Sequence, residues 1–537
     1  MKKKFIKLMA FVLILSFVLG GCSQNSEEKT PVTDEKPTQT EADNKGEIKT
    51  DIVIATAVDF ITMDPLDAND TLSGGLQRTM MEGLFGFDKD MKIIPLLAES
   101  YTANDNATEF TFKLKQGVKF SDGTDFNADA AIVNLKRMAD QTLGLKRNSL
   151  FKMIANNEKI DDYTVKVTLN EPFGAFVNTL AHPAALMVSP KALDEYGKDV
   201  SQHPVGTGRY IFDTWSPGEQ LVIKQNPDYW GGASEFTSVT FKPVTENGTR
   251  VAMLQSGDAD FIFPVPSEQI ASLEGNSNIT VERRPSIVTR YITMNTKKKP
   301  FDDVKVRQAL NYAIDKEAYA QIVYNGFAKT SSSLLAPNVQ FYDAQKPYEY
   351  DVEKAKQLLA EAGYPNGFET KLWSSNTSTM IKATQFIKQQ LAQVGVTVNV
   401  ENMEVGTLED KVTGYPVGTP GEESDIEMYV IGWSPSTGDA DWGLRPLAST
   451  ESAPPVSYNA AYYSNPVFDA AIQGALETAD PDKRAEQYKI AQKQVWDDAP
   501  MLYLVVDDNT FAYNNKIEGI TIIADGSMDL SGGKLVK

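Results

Sequence analysis

The sequence predicts an α/β fold, with mixed sheets, helices on both faces, and the elements gathered into two blocks. Two observations predict it. Runs in which apolar and polar residues alternate, the mark of a half-buried strand, are interleaved with runs whose apolar residues recur every three or four positions, the mark of a helix with one buried face. The interleaving continues along the whole body of the chain, and no solenoid-type repeat interrupts it.

In the first block, residues 51–57 open as a short apolar strand. Leu72, Leu76, Met80 and Leu84 recur every four residues and predict a helix within 71–85. Phe110, Phe112 and Leu114 alternate over 109–115 and predict a strand. Asn127 stands where its side chain can cap a helix carrying Ile132, Leu135 and Met138. Residues 164–169 alternate again; strands near 220–225 and 237–244 and a helix near 246–257 follow.

The second block is more helical. Residues 291–296 read as a strand, and 304–324 as one long helix with Val306, Leu310, Ala313 and Ile314 inward. Asp351 is placed to cap a helix over 352–362, with Gly363 as its left-handed C-terminal residue. A strand at 369–374, a helix at 379–394 and a strand at 396–402 predict a βαβ-like unit. The strand 427–431 leads into a long glycine- and proline-rich loop. Helices near 465–479 and 481–497 come next, and the apolar strand 501–506 returns the chain to a sheet.

Ahead of this body lies a different kind of segment. Lys2, Lys3, Lys4 and Lys7 precede an uncharged run of about 14 residues from Leu8 to Gly21. That run is short of the roughly 20 residues that span a bilayer, and the layout is that of a secretory signal peptide, residues 1–21. Its end, Leu19-Gly20-Gly21-Cys22, resembles the bacterial lipobox, which implies a diacylglyceryl group on the Cys22 thiol and an anchor in the cell membrane. Cys22 is the only cysteine, so no intramolecular disulfide forms. Residues 23–49 carry no aromatic side chain and read as a flexible linker, because they cannot bury enough apolar surface to offset the entropy of ordering.

Composition narrows the function. The formal charge is −20, and four lysines with no acid leave with the signal peptide, which takes it to −24. A chain so acidic does not suit nucleic acid, whose phosphates need Lys and Arg partners. With two histidines, His182 and His203, and no cysteine in the body, thiolate and three-histidine metal sites are excluded. Both histidines stand next to proline and read as surface or turn residues. No phosphate-binding glycine loop, zincin helix or EF-hand loop is present, and neither a catalytic residue nor a cofactor is expected.

Several runs then resemble one family. They are Glu82-Gly83-Leu84-Phe85, Pro95-Leu96-Leu97-Ala98-Glu99-Ser100, residues 110–124 (FTFKLKQGVKFSDGT), Pro204-Val205-Gly206-Thr207-Gly208-Arg209-Tyr210, and residues 304–316 (VKVRQALNYAIDK). In order and along nearly all of the body, they resemble the family 5, peptide- and nickel-type solute-binding proteins of ABC importers. The resemblance implies two lobes of the periplasmic-binding-protein type (type II, cluster C) closing on a solute. It implies a first lobe from 50–295 and 503–537, with an extra subdomain at about 100–205, and a second lobe from 296–502. It also implies a monomer that meets a membrane permease and its ATPase subunits, with only the lipid touching the membrane.

Residues 432–447 (GWSPSTGDADWGLRPL) are similar, more narrowly, to the ligand loop of the glutathione-binding members. In the peptide-binding relatives an aspartate three positions after the Gly-Trp pair, counted from the tryptophan, meets the ligand's α-ammonium; here that position is Ser436. The departure fits a γ-glutamyl ligand, whose ammonium lies elsewhere. On this reading Asp439 and Asp441 meet the ammonium, and Arg445 or Arg290 meets a carboxylate through a bidentate fork. Trp373, Trp433 and Trp442 wall the cleft, although Trp433 reads equally well as core. A general di- or oligopeptide receptor stays open as the alternative. A surface hydrolase fits poorly with two histidines and no nucleophile motif, and an adhesin or signalling receptor on the same fold is left open.

Overall fold

Two long antiparallel strands, Ile279–Met294 and Met501–Asn514, organise the body of the protein. The computed structural model describes residues 50–536; the expected signal peptide, Cys22 and the linker lie outside the described residues. The two strands run through the middle of a mixed sheet of eleven. On one side lie Met428–Trp433, Glu369–Ser375 and Thr397–Met403, and on the other Phe261–Phe263, Asp51–Thr56, Ser238–Pro243, Gln220–Gln225 and Tyr210–Ser216; the eleventh, Ala328–Thr330, pairs with residues 505–507 of the second long strand.

Each long strand changes neighbours partway along. Residues 279–285 pair with 508–514 beside Phe261–Phe263, whereas 289–293 pair with 501–506 beside Met428–Trp433. The register breaks between Pro285 and Thr289. Pro285 has no N–H to give to the ladder, Ile287 N–H donates instead to the Ala524 carbonyl, and Val288 N–H donates to Ser286 Oγ. The sheet therefore splits into two halves joined only through these strands.

A second sheet of four antiparallel strands, Ala98–Ala103, Glu109–Leu114, Thr164–Leu169 and Ile154–Asp161, lies within the expected subdomain. Phe110, Phe112 and Leu114 alternate inward as the sequence predicts and meet Val165 and Val167 and the helix Ala128–Ala139 in one core. The same core runs on into Leu335, Leu444, Phe468 and Tyr488, so the subdomain packs on the 334–499 region.

Local signals were reliable where their cause was local. Asn127 accepts from Ala130 N–H, Asp351 accepts from Lys354 N–H, and Gly363 takes φ +91°. The βαβ unit forms, with Glu369–Ser375 parallel to Thr397–Met403 across the helix Ser378–Ala392. Four expectations need correction. The helix expected over 304–324 is two, Val304–Tyr312 and Lys316–Val323, because Asp315 leaves the helical conformation and caps the second by accepting from Ala318 N–H. The strands expected at 291–296 and 501–506 are fragments of the two long strands. The helix expected within 71–85 stops at Met80, where Met81 turns extended. The glycine- and proline-rich loop contains a helix, Ala440–Ala448.

Candidate functional site

The strand Met428–Trp433 ends at the loop Ser434–Gly438, which the helix Ala440–Ala448 follows. Gly438 is required there: φ is +66°, and a β-carbon would come within 3.0 Å of the Phe87 ring. Asp439 ends the loop, capping the helix through Asp441 N–H at 2.9 Å. It is 0% exposed and takes Arg484 Nη2 on its two oxygens at 2.8 and 2.9 Å. Burial pushes the Asp439 carboxyl up, and the Arg484 charge acts against that shift. Asp441 is also buried and receives the Arg445 fork, Nε and Nη2 each at 2.7 Å.

These contacts change the expected roles. Asp439 has no surface from which to touch a solute, so its charge fixes the loop rather than meeting an ammonium. Asp441 and Arg445 satisfy each other, and Arg290 is paired with Asp507 across the long strands at 2.8 and 2.6 Å. Trp373 lies in a separate cluster with Leu408, Val412 and Tyr429, its Nε1 donating to Glu401. Trp433, Trp442 and Ser436 are brought together.

Those three line a cavity of about 290 Å³ whose opposite wall comes from the other half of the fold: Asp70, Arg147, His182, Asp525 and Ser527. Trp433 Nε1 donates to the Trp442 carbonyl at 2.7 Å, and the Tyr458 ring lies 5.1 Å from the Trp433 ring, which stiffens the aromatic side. His182 is buried, contrary to the surface reading, because the turn it heads packs under the cleft loop. Its Nδ1 accepts from Ala184 N–H at 3.0 Å, which leaves Nε2 to donate to Ser436 Oγ at 3.0 Å. Burial, with the charges of Arg147 and Arg78, pushes the imidazole well below its usual pKa and keeps it neutral. Asn178 Nδ2 makes further contacts across the cleft, to Gln340 Oε1 at 2.9 Å and the Thr437 carbonyl at 3.3 Å. His203, by contrast, is exposed and stacks on Tyr196.

The cavity's polar groups are incompletely matched. Arg147 donates only to the Ala68 and Asn69 carbonyls, at 3.1 and 3.0 Å, and no described carboxylate forms an ion pair with it. Burial pulls its pKa down, and the charge of Asp70 in the same cavity, too far for a direct ion pair, offsets this only in part. Asp70 Oδ1 caps the helix Thr71–Met80, while Oδ2 is buried with no hydrogen-bond partner. Ser434 Oγ and Ser527 Oγ are buried without partners as well. Nearly all buried polar groups in folded proteins are paired, so this convergence around one cavity marks a place where a polar solute completes the bonding. Asp70, Arg147 and Tyr458 were not legible in the sequence as site residues, and Ser434 was legible only as part of the loop 432–447. Only the capping position of Asp70, just ahead of a periodic run, carried a signal, and that signal was structural.

The family model for bacterial extracellular solute-binding proteins, family 5 (middle region), matches residues 92–454. The glutathione-binding protein GsiB of Shigella dysenteriae serotype 1 is 47% identical over 477 residues, covering 88% of this chain and 92% of that protein. Its counterpart in Escherichia coli K12 is 46% identical over the same span. Among solved structures, HbpA2 from Haemophilus parasuis superposes with a TM-score of 0.81 at 28% identity, covering 91% of this chain and 100% of its own. The periplasmic binding protein DppA from Helicobacter pylori, in complex with the peptide STSA, gives 0.73 at 27% identity, with 89% and 97% covered.

Proposed function

The chain belongs to the family 5 bacterial extracellular solute-binding proteins, and on that premise we propose that it binds glutathione, or a closely related γ-glutamyl peptide, and delivers it to the permease of an ABC importer. The observation that carries the proposal is the cavity's unmatched set of charges. Of glutathione's ammonium and two carboxylates, the ammonium and one carboxylate find partners in this cavity, and the second carboxylate stays in solvent, because burying an unpaired charge costs several kcal/mol. Arg147, which forms no ion pair with a described carboxylate, takes a carboxylate of the solute. Asp70 Oδ2 takes the ammonium, with Ser434 Oγ as a second acceptor. Trp433, Trp442 and Tyr458 cover the amide planes and the thiol stem. The volume of about 290 Å³ lies at the small end of the range for ligand pockets and supports one short peptide.

The register break between Pro285 and Thr289 is the hinge in this reading, a few residues earlier than the lobe boundary at 295/296 that the sequence suggests. Cys22 anchors the protein to the outer face of the membrane.

A general di- or oligopeptide receptor is the second reading, favoured by the peptide held in the Helicobacter pylori relative. Calorimetric titration with reduced and oxidised glutathione, γ-glutamylcysteine and ordinary dipeptides separates the two. Binding of γ-glutamyl peptides at least tenfold tighter than dipeptides is expected; binding of dipeptides alone refutes the glutathione proposal.

A further inference from the structure

Behind the cleft wall lies a second cavity, of about 160 Å³, formed wholly by the half of the fold that contributes Asp70 and His182. Its body is apolar, with Phe85, Phe87, Leu96, Leu186, Met528 and Leu530 among its walls. The half-buried Arg209 and Asp529 and the exposed Ser531 stand at its rim. Arg78 separates it from the cleft: the guanidinium lines this cavity, and its Nη1 bonds Asp525, which lines the other.

The spare hydrogen-bonding capacity of the wall is donor capacity. Arg78 Nη2 is buried with no partner. Arg209 lies over the Tyr229 ring at 4.9 Å and gives Nη1 to the Gly232 carbonyl, but no described carboxylate forms an ion pair with it. Both oxygens of Glu82 and one oxygen of Asp529 are already engaged. Glu82 accepts from Tyr229, Trp230 and Thr207 at 2.7–2.8 Å, and Asp529 Oδ1 accepts from Ser531 N–H at 2.8 Å. An apolar chamber with two under-used guanidiniums suits a molecule with an apolar body and one anionic end. An apolar cavity of about 150 Å³ is large enough for a benzene ring, so the size suits one ring or a short chain.

We propose that this cavity is a second binding site, for a compact amphipathic monocarboxylate, separate from the solute cleft. Its carboxylate bonds Arg78 Nη2 and Arg209, and its apolar body fills the space between Phe85, Phe87 and Leu530.

Benzoate is the probe, titrated against the purified full chain and followed by saturation-transfer NMR. Saturable binding with a millimolar Kd is expected. Benzamide, the same shape without the charge, should bind at least tenfold more weakly, and Arg209→Met should weaken benzoate by at least tenfold with an unchanged melting temperature. No saturable signal at about 50 mM benzoate overturns the proposal, and so does equal binding of benzamide. Displacement of benzoate by glutathione also overturns it, since the probe would then sit in the cleft. If Arg209→Met fails to fold, the benzamide comparison on the unaltered chain decides.

Discussion

Asp439 is the position where the sequence and the structure make opposite predictions. As an ammonium ligand, Asp439→Ala would lower affinity and leave stability alone. As the buried partner of Arg484, it should do the reverse. The substitution leaves a guanidinium that is 4% exposed with only the Ala475 carbonyl at 3.3 Å and Tyr488 Oη at 3.0 Å. Breaking a buried pair from one side costs about 3–5 kcal/mol, and losing the helix cap adds about 1 kcal/mol. With an unfolding entropy of about 2.1 cal/mol/K per residue over roughly 490 residues, each kcal/mol lowers Tm by about 1 °C. Calorimetry should therefore show a drop of about 4–6 °C in the transition that reports this region. Asp439→Ala combined with Arg484→Met should fall less than Asp439→Ala alone, because no charge is then stranded. A Tm within 1 °C of the parent, together with a tenfold loss of glutathione affinity, would refute the structural role and restore the ammonium assignment.

Arg147→Met should weaken glutathione binding about 30- to 160-fold, the loss of a charged hydrogen-bonded contact of about 2–3 kcal/mol, with Tm moved by less than about 2 °C; unchanged calorimetric affinity rejects the carboxylate role. His182 is held neutral when folded, so below about pH 6.5 the unfolded chain binds a proton that the folded protein refuses. Its contribution to stability is full above that pH and falls on acidification by up to about 1.4 kcal/mol per pH unit. Denaturant titrations at pH 7 and 5 should show the parent losing more stability than His182→Gln, and a pH-independent gap between the two would argue against it. Ser436→Asp should raise dipeptide affinity relative to glutathione by at least tenfold, because it restores the aspartate of the peptide-binding relatives in the cavity that Arg147 lines; competition calorimetry checks the ratio. Cys22→Ser should release a binding-competent protein into the medium and lower glutathione uptake, and unchanged uptake would make the tether an address only.

What could be read in the sequence depended on how far apart the interacting residues lie. Asn127, Asp351 and Gly363 act on residues within a few positions, and each behaves as its local pattern predicts. The alternation of Phe110, Phe112 and Leu114 was legible because one face of that strand is dry. The long strand Ile279–Met294 was not, because its first half carries Glu282, Arg283 and Arg284 toward solvent and polar contacts and is broken at Pro285. The helix Ala440–Ala448 was masked by Gly443 and Pro446. The site itself was legible as a loop and opaque in its charges. Asp439 looked available because Arg484 is 45 positions away, and His182 looked superficial because Ser436 is 254 positions away.

Those same long-range contacts explain how the site can close without consuming its own specificity. The loop Ser434–Gly438 is anchored at its end by Asp439 and Arg484, deep in one half of the fold, so it moves with that half as a rigid edge. Its contacts with the other half use neutral groups: His182 to Ser436, and Asn178 to the Thr437 carbonyl. A carboxylate at 436 would stand in the cavity that Arg147 lines and would attract it, since the Arg147 charge already reaches His182, the partner of Ser436. It would compete with the solute for Arg147, the one cation among the cavity's described lining residues. With serine there, closure is stabilised by neutral hydrogen bonds of about 0.5–1.5 kcal/mol each. Arg147 and Asp70 Oδ2 are left for the solute, so a zwitterionic ligand completes the closed state and an empty cleft leaves it incomplete.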